Sequence, residues 1–229
     1  MLDPANIIRC NRNTVAIYID ERGTLIVKAP LKLPAAKIYQ FVKEKEDWIR
    51  RQQKRATQNA YLNYAVMSYN AFLFLGATLN PYVTNNAKSI TRSEDLLCIP
   101  PKIADAGEEA TLKKIDKWYR VAAKQILVDR CLYFSQRMRL QHTRIDINNN
   151  KTRWGVCGAN GDIALNWRCV MLPPKLIDYI VVHEYCHLLE FNHTKNFWQL
   201  VESILPDWRN LRKELKQYAW ILGLFRKAK

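Results

Sequence analysis

The chain has 229 residues, of which 48% are hydrophobic, and 36 Lys and Arg against 21 Asp and Glu give a formal net charge of +15. This hydrophobic content is sufficient for a buried core, in one globular unit or in two lobes. The basic excess indicates attraction to nucleic acid or to an acidic protein, and a solvated basic surface is an equal alternative.

The N-terminal third of the chain predicts neither a leader nor a membrane span. Residues 1–20 lack the apolar segment of a signal peptide. Residues 56–87 carry no charge, but Asn63, Asn80 and Pro81 interrupt this segment. Its longest apolar run is therefore much shorter than the about 18–20 residues that a membrane span needs. We therefore expect a cytoplasmic protein without a membrane segment. Its six cysteines include no Cys-x-x-Cys spacing, so we expect reduced thiols.

The first predicted elements are mostly strands. Residues 13–19 and 24–28 alternate between apolar and polar side chains around a turn at residues 20–23, which predicts a hairpin. A helix is expected from Pro34 to about Arg55. Further strands are expected over residues 72–84 and 89–99. These elements predict an N-terminal β-rich lobe with one helix, residues 1–105.

Helices alternate with short strands in the rest of the chain. A long helix is expected from Gly107 to about Leu140, with Leu112, Ile115, Tyr119, Ala122 and Ile126 at three-four spacing. Strands are expected over residues 144–147, 152–156 and 163–166. Pro173 and Pro174 begin a second apolar helix, and Asp207 can cap a last one to about Leu222. The fold class is therefore α+β, with a second domain over residues 106–229.

The second of these helices carries the most informative motif in the chain, His183-Glu184-Tyr185-Cys186-His187, followed by His193. Residues four apart lie on one face of a helix, so both imidazoles of the motif can reach one metal ion. Glu184 lies beside that ion without being a ligand, as in metalloproteases. Three of the four histidines of the chain lie here, and the motif predicts one zinc ion per chain.

The third histidine requires the chain to turn back after the helix. His193 has the spacing of the last histidine in the metzincin motif, but Glu190 stands where that motif has glycine. No methionine follows Met171, which excludes the downstream Met-turn of that class. Asn192 is the residue here that most readily adopts a left-handed conformation, so it could end the helix.

Several motifs around the histidines recur together in a known family. They are Arg153-Trp154-Gly155-Val156-Cys157, a strand ending in Leu165-Asn166, the histidine helix, and Asn192-His193 followed by Phe197-Trp198. In this order and spacing the chain resembles the YgjP-like metallopeptidase family, which is similar to the SprT and Spartan group of zincin proteases. The detailed match covers residues 152–200. Val156 departs from it, since the family usually has serine there.

The resemblance implies a zincin-type core, in which the active-site helix packs against a small antiparallel sheet. It implies a zinc-dependent metallopeptidase with His183, His187 and His193 as ligands and Glu184 as the catalytic carboxylate. It also implies an edge strand that pairs with an extended protein or peptide substrate. The residues that match this strand are Ile163, Ala164, Leu165 and Asn166.

Some roles stay open at the level of the sequence. Arg153 and Arg168 are candidates for stabilising the oxyanion, and both also fit a solvated or ion-paired role. Packing around the site is favoured for Trp154, Trp167 and Trp198. The alternative function is a metal-stabilised, basic module that binds nucleic acid or protein with little or no peptidase activity. Glu184 argues against it, because a structural zinc site does not need that carboxylate.

Overall fold

A computed structural model describes residues 6–20 and 23–225, without the side chains of residues 55, 58–64 and 67. The fold is mixed α+β with three small sheets, as expected. It divides into two compact units, one ending at Tyr69 and the other beginning at Asn70. No helix formed by the described residues is both long and apolar enough to cross a membrane.

The first unit is a three-stranded sheet with two helices. Its elements are β1 (Ile7–Cys10), β2 (Ala16–Ile19), β3 (Leu25–Pro30), α1 (Ala35–Glu44) and α2 (Glu46–Met67). The strand order is β1-β3-β2, and β2 and β3 form the predicted antiparallel hairpin. Glu21 and Arg22 of the predicted turn lie outside the described residues. Strand β1, which pairs parallel to β3, was not predicted.

One predicted helix of the first unit is in fact two. The helix expected from Pro34 to Arg55 breaks at Lys45, whose N–H bonds to the Val42 carbonyl, and α2 then continues to Met67. The core of the unit is made of strand β3 and the buried side of the helices. Its buried members are Val27, Ala29, Ile38, Val42 and Ile49.

The second unit begins with a four-stranded sheet and a long helix. The elements are β4 (Phe72–Phe74), β5 (Ala77–Val83), β6 (Thr91–Ser93), β7 (Leu96–Ile99), α3 (Pro101–Ala104) and α4 (Glu108–Met138). The strand order is β4-β5-β7-β6. Each of the two predicted strands is a pair of strands, and Gly76 (φ +80°) supplies the turn between β4 and β5. The short helix α3 was not predicted.

This four-stranded sheet belongs with the C-terminal elements, so the division predicted near residue 105 falls inside the second unit. The Leu75 N–H donates to the Val170 carbonyl at 2.6 Å, and the Tyr119 hydroxyl donates to the Leu73 carbonyl at 2.7 Å. Gly76 packs against Pro173, whose Cα would lie 2.9 Å from a Cβ added to the glycine. These contacts fix the sheet to α4 and to the start of the histidine helix.

The buried face of α4 differs from the predicted one. Ile115 and Tyr119 are buried, as predicted, but Leu112, Ala122 and Ile126 are only half-buried. The buried stripe instead runs at four-residue spacing from Ile115 to Cys131, with a final step of three to Phe134. Its members are Ile115, Tyr119, Ala123, Leu127, Cys131 and Phe134. The small side chains Ala123 and Cys131 lie in this stripe because the helix is covered by the buried segment at residues 167–171 and by the histidine helix.

The rest of the second unit carries the histidine motif. It contains β8 (Arg144–Asn148), β9 (Gly155–Cys157), β10 (Asp162–Asn166), a 3-10 helix (Trp167–Met171), α5 (Pro174–Cys186), α6 (Lys195–Ile204), α7 (Trp208–Leu215) and a second 3-10 helix (Lys216–Gly223). The strand order is β8-β10-β9. This sheet is mixed rather than purely antiparallel, since β10 pairs antiparallel to β9 and parallel to β8. Asp207 precedes α7, although its side chain makes no capping hydrogen bond.

Candidate metal centre

Helix α5 holds the first two histidines in a rigid position. Nine of its thirteen residues are buried, including Val181, Val182 and Tyr185. The Tyr185 hydroxyl donates to the Cys131 carbonyl of α4 at 2.9 Å, which fixes the rotation of the helix. His183 lies in the last turn, and His187 is the C-cap residue that directly follows the helix. Their ring centroids are 4.9 Å apart, as one helical turn requires.

The third histidine is brought back by a turn after α5. The Glu190 N–H donates to the Cys186 carbonyl at 3.0 Å, which closes the end of the helix. The prediction that Asn192 ends the helix in a left-handed conformation is wrong, because α5 ends at Cys186 and Asn192 has no positive φ. The Thr194 hydroxyl then caps α6 by accepting from the Phe197 N–H. His193 lies directly before this cap.

The three histidines face one another at a spacing that suits one metal ion. One nitrogen from each ring lies within 4.8 Å of the others, and the Nε2 atoms of His183 and His193 are 3.0 Å apart. Three ligands of a tetrahedral zinc ion are about 3.4 Å apart at the usual zinc–nitrogen distance. The His187 Nδ1 lies 3.1 Å from the Glu190 carbonyl oxygen, which leaves Nε2 for an ion. The donor set therefore fits a single zinc ion.

The surroundings keep two of these rings neutral, which is the form that binds metal. Burial lowers the pKa of His183 to about 3, and the charges of His187, His193 and Arg212 act in the same direction. Burial also lowers the pKa of His193, assisted by His187 and Arg212. At neutral pH both imidazoles therefore carry an unprotonated nitrogen.

Glu184 lies beside the histidines but points to the neighbouring sheet. It is 6% exposed, and its carboxylate packs on the backbone of β9. A Cβ added to Gly155 would lie 2.6 Å from Glu184 Oε1, so only glycine leaves room for the carboxylate. Burial raises the pKa of Glu184 to about 8, while Arg153 and the Cys157 N–H, which donates to the carboxylate, oppose this shift. A carboxyl group with this pKa can both accept and return a proton near neutrality.

Strand β10 is not the edge strand that was predicted. It is paired on both sides, with β8 over its whole length and with β9 over Ile163, Ala164 and Leu165. Ile163 and Leu165 are fully buried, and the Asn166 side chain donates to the Asn150 and Arg153 carbonyls. The prediction was wrong because the alternation of side chains does not show how many neighbours a strand has. Within the described residues the edge next to Glu184 is β9.

The open edge of β9 faces the carboxylate of Glu184. Trp154 and Gly158 bond to the β10 side, since the Trp154 carbonyl accepts from the Asn166 N–H at 2.7 Å and the Gly158 N–H donates to the Asp162 carbonyl at 2.8 Å. Backbone groups alternate along a strand, so those of Gly155 and Cys157 point to the other side. That is the side on which the Cys157 N–H reaches Glu184.

The two arginines named as oxyanion candidates have different surroundings. Arg168 is buried and donates to the Leu224 carbonyl at 2.9 Å and to Asn149 Oδ1 at 2.6 Å, so it braces the fold. Arg153 is exposed, and its positive charge acts to lower the pKa of Glu184. Of the two, only Arg153 is close to the candidate site.

The aromatic residues near the histidines differ in role as well. Trp167 is fully buried and donates from Nε1 to Asn149 Oδ1, as core packing predicts. Trp198 is half-buried and lies against His193, with ring centroids 5.5 Å apart and an interplanar angle of 25°. Phe197 contacts all three imidazoles, with centroids between 4.5 and 4.9 Å away. These two residues of α6 form the apolar wall of the site.

Burial disfavours the thiolate form of the two cysteines next to the motif. Cys186 is fully buried, and burial raises its pKa to about 12. Burial and the charge of Glu184 raise the pKa of Cys157. All six cysteines are free thiols in the structure. These two side chains act through packing, while the backbone N–H of Cys157 donates a hydrogen bond to Glu184.

Sequence reasoning missed two contributors to the site, Gly155 and Arg212. Gly155 did give a signal, because a glycine inside a short strand often marks a place where another group approaches the backbone closely. Arg212 had no signal, because its position depends on how α7 packs on α6.

A model of the YgjP-like, metallopeptidase domain family matches residues 13–218. No curated protein matches the chain. The crystal structure of the metallopeptidase zymogen of Pyrococcus abyssi abylysin is 21% identical, over 39% of this chain and 90% of that chain. Its TM-score is 0.36, which is too low to indicate a shared fold.

Proposed function

We propose, from the premise that this chain belongs to the YgjP-like metallopeptidase domain family, that it is a zinc-dependent peptidase with Glu184 as its general base. The family confirms the resemblance deduced from the motifs and implies a metal ion and a protein or peptide substrate. The observation that carries the proposal is a cluster of three histidines beside a buried carboxylate. One nitrogen each of His183, His187 and His193 lies within 4.8 Å of the others, and the neighbouring carboxylate is that of Glu184.

His183, His187 and His193 would hold the ion through one nitrogen each. Three neutral imidazoles suit zinc, although nickel or cobalt bind similar donors. When bound, zinc supplies a Lewis acid that acidifies water and polarises the carbonyl of the scissile bond. The contact of His187 Nδ1 with the Glu190 carbonyl fixes its ring orientation.

Glu184 would move the proton during the reaction. Its carboxylate accepts the proton of the attacking water and returns it to the nitrogen of the leaving amine. The Cys157 N–H and the backbone at Gly155 hold the carboxylate in one orientation. Arg153 favours its ionised form, which is the form that acts as a base.

The substrate backbone would add to the open edge of β9. The outward N–H and C=O groups of Gly155 can pair with an extended peptide, as in other examples of strand addition. Because Glu184 lies on the same edge, a peptide bound there passes the catalytic carboxylate. This role replaces the one first expected for residues 163–166.

The basic surface does not displace the peptidase proposal. Arg209 pairs with Glu202, and Lys175 pairs with Glu214, so part of the charge is balanced locally. Arg226, Lys227 and Lys229 lie outside the described residues. The alternative of a nucleic-acid-binding module gives no function to a buried Glu184 beside a three-histidine cluster.

Removal of the metal tests the proposal directly. We expect the purified protein to cleave a mixture of unstructured, fluorescence-quenched peptides and to lose this activity after chelation. One equivalent of zinc per chain should restore it, because three histidines form one site. Glu184→Gln protein treated in the same way controls for contaminating peptidases. Cleavage that persists in the metal-free protein would contradict the proposal.

Gly155→Ala tests whether the close contact between Gly155 and the Glu184 carboxylate matters for hydrolysis. The added methyl group would lie 2.6 Å from Oε1 and 2.7 Å from Cγ of Glu184, so the side chain must move. We expect a fall in kcat/KM of at least tenfold, since a misplaced base loses most of its about 10²–10⁴-fold contribution. Zinc content should not change. Gly223→Ala is the matched control, because an added Cβ there meets nothing within 4 Å. Unchanged activity in Gly155→Ala would show that catalysis does not depend on this contact.

A further inference from the structure

Arg212 places a fixed positive charge beside the histidine cluster. It lies on α7, is exposed, and has its guanidinium carbon 4.8 Å from the centre of the Trp198 ring. The same indole stacks on His193 and also lies 6.0 Å from His183. The guanidinium and two of the imidazoles therefore share one aromatic neighbour. A guanidinium on an indole face is restricted in orientation by this contact.

The charge of Arg212 has no carboxylate partner within the described part of the chain. Arg209, one turn earlier, makes the same kind of contact with Trp208 at 4.6 Å, but it is paired with Glu202. The two arginines thus differ in one respect, which is the presence of a local counter-charge. An oriented and unpaired guanidinium retains its donors for an external carboxylate.

The influence of Arg212 reaches the site itself. Its charge contributes to the lowered pKa of His183 and of His193. Arg153 is also exposed, has no ion-pair partner within the described residues, and lowers the pKa of Glu184. Two positive charges therefore act on the residues of the site. Such a field favours substrates with negative charge.

We propose that Arg212 determines specificity by binding a carboxylate side chain of the substrate, so that peptides with an acidic residue near the scissile bond are preferred. This inference rests on the proposed peptidase function. Arg212 is held on Trp198 rather than among the imidazoles, which places it against a neighbouring side chain of the peptide. Its planar donors match a carboxylate in a bidentate manner.

Binding without turnover tests the preference. The zinc-loaded Glu184→Gln protein is titrated with labelled peptide pairs that differ only by Glu or Gln at one position, moved stepwise along the peptide, and anisotropy is measured. We expect at least one Glu peptide to bind about three- to tenfold more tightly than its Gln partner, between the values of an exposed ion pair and a charge-assisted hydrogen bond. The difference should shrink with added salt.

Variants assign the preference to Arg212. In the same background, Arg212→Gln should remove the Glu/Gln difference, and Arg212→Glu should reverse it in favour of a Lys peptide. Arg209→Gln is the matched control and should keep the difference. Zinc content and melting temperature identify any misfolded variant, and Arg212→Lys, which keeps the charge, should retain part of the preference. Equal binding of all Glu and Gln pairs, or a preference that survives Arg212→Gln, would overturn the proposal.

Hydrolysis by the corresponding variants with intact Glu184 separates this inference from the peptidase function. A role in specificity predicts that Arg212→Gln raises KM for acidic peptides by a larger factor than KM for neutral ones. An equal fall in kcat for all peptides would overturn it, because Arg212 would then act on the reaction itself. Acidic binding without any hydrolysis would refute the peptidase and leave the carboxylate site standing.

Discussion

Glu184→Gln is expected to lower peptide hydrolysis by about 10²–10⁴-fold, the usual value of general base catalysis. Glutamine keeps the size of the side chain and can fill the same space against Gly155, but it cannot accept the proton of water. Because Glu184 is not one of the three clustered histidines, zinc content and melting temperature should stay near those of the wild type. The measurement is kcat/KM on a cleaved peptide, with zinc determined on the same samples.

Glu190→Gln is the matched control for this experiment. Glu190 follows the motif closely, and only its backbone carbonyl contacts His187, so loss of its carboxylate should leave hydrolysis unchanged. Equal hydrolysis by the wild type and Glu184→Gln would mean that the activity belongs to another residue or to a contaminant, and the peptidase proposal would fall.

His193→Ala is expected to abolish stable zinc binding and with it hydrolysis. Removing one of three ligands should weaken zinc binding by more than the about 10–100-fold that loss of an outer-shell partner costs. His193 is exposed and lies in the turn before α6, so the metal-free variant should unfold at nearly the wild-type temperature. Competition with a chromogenic chelator measures the affinity, and thermal unfolding of both metal-free proteins measures the stability.

The fourth histidine provides the control for zinc binding. His142 contacts the Tyr185 hydroxyl at 2.8 Å and is not part of the cluster, so His142→Ala should keep one zinc ion per chain. Full zinc occupancy in His193→Ala would contradict the proposed ligand set. The third ligand would then have to be sought at Glu190 or Glu202.

Local patterns predicted the elements whose residues are close in sequence. The hairpin of β2 and β3, the long helix α4 and the buried strand β4 follow from alternation or from three-four spacing. Local patterns failed where two elements are joined without an obvious break. Lys45 interrupts a continuous amphipathic run between α1 and α2, and Gly76 was not recognised as the turn that divides a predicted strand in two.

The grouping of elements into units was beyond local patterns. The β4–β7 sheet was expected in the N-terminal lobe because it precedes the long helix in the chain. Its hydrogen bonds instead go to Val170 and Tyr119, which lie about 45 to 95 residues further on. Composition carries no information about such a partner, since any buried strand of this kind has the same apolar pattern.

The sequence by itself determined the cluster of three histidines. His183 and His187 share a helix face because the period of the helix is fixed by its backbone, and His193 follows within the reach of a single turn. Only the tertiary structure decided which strand is the edge, why residue 155 is glycine, and that Arg212 lies beside His193 on Trp198. The physical reason is that these contacts join different elements, with residues 18 positions apart between β8 and β10, 29 between Gly155 and Glu184, and 14 between Arg212 and Trp198. Their distances depend on how whole elements pack, which no local pattern of side chains records.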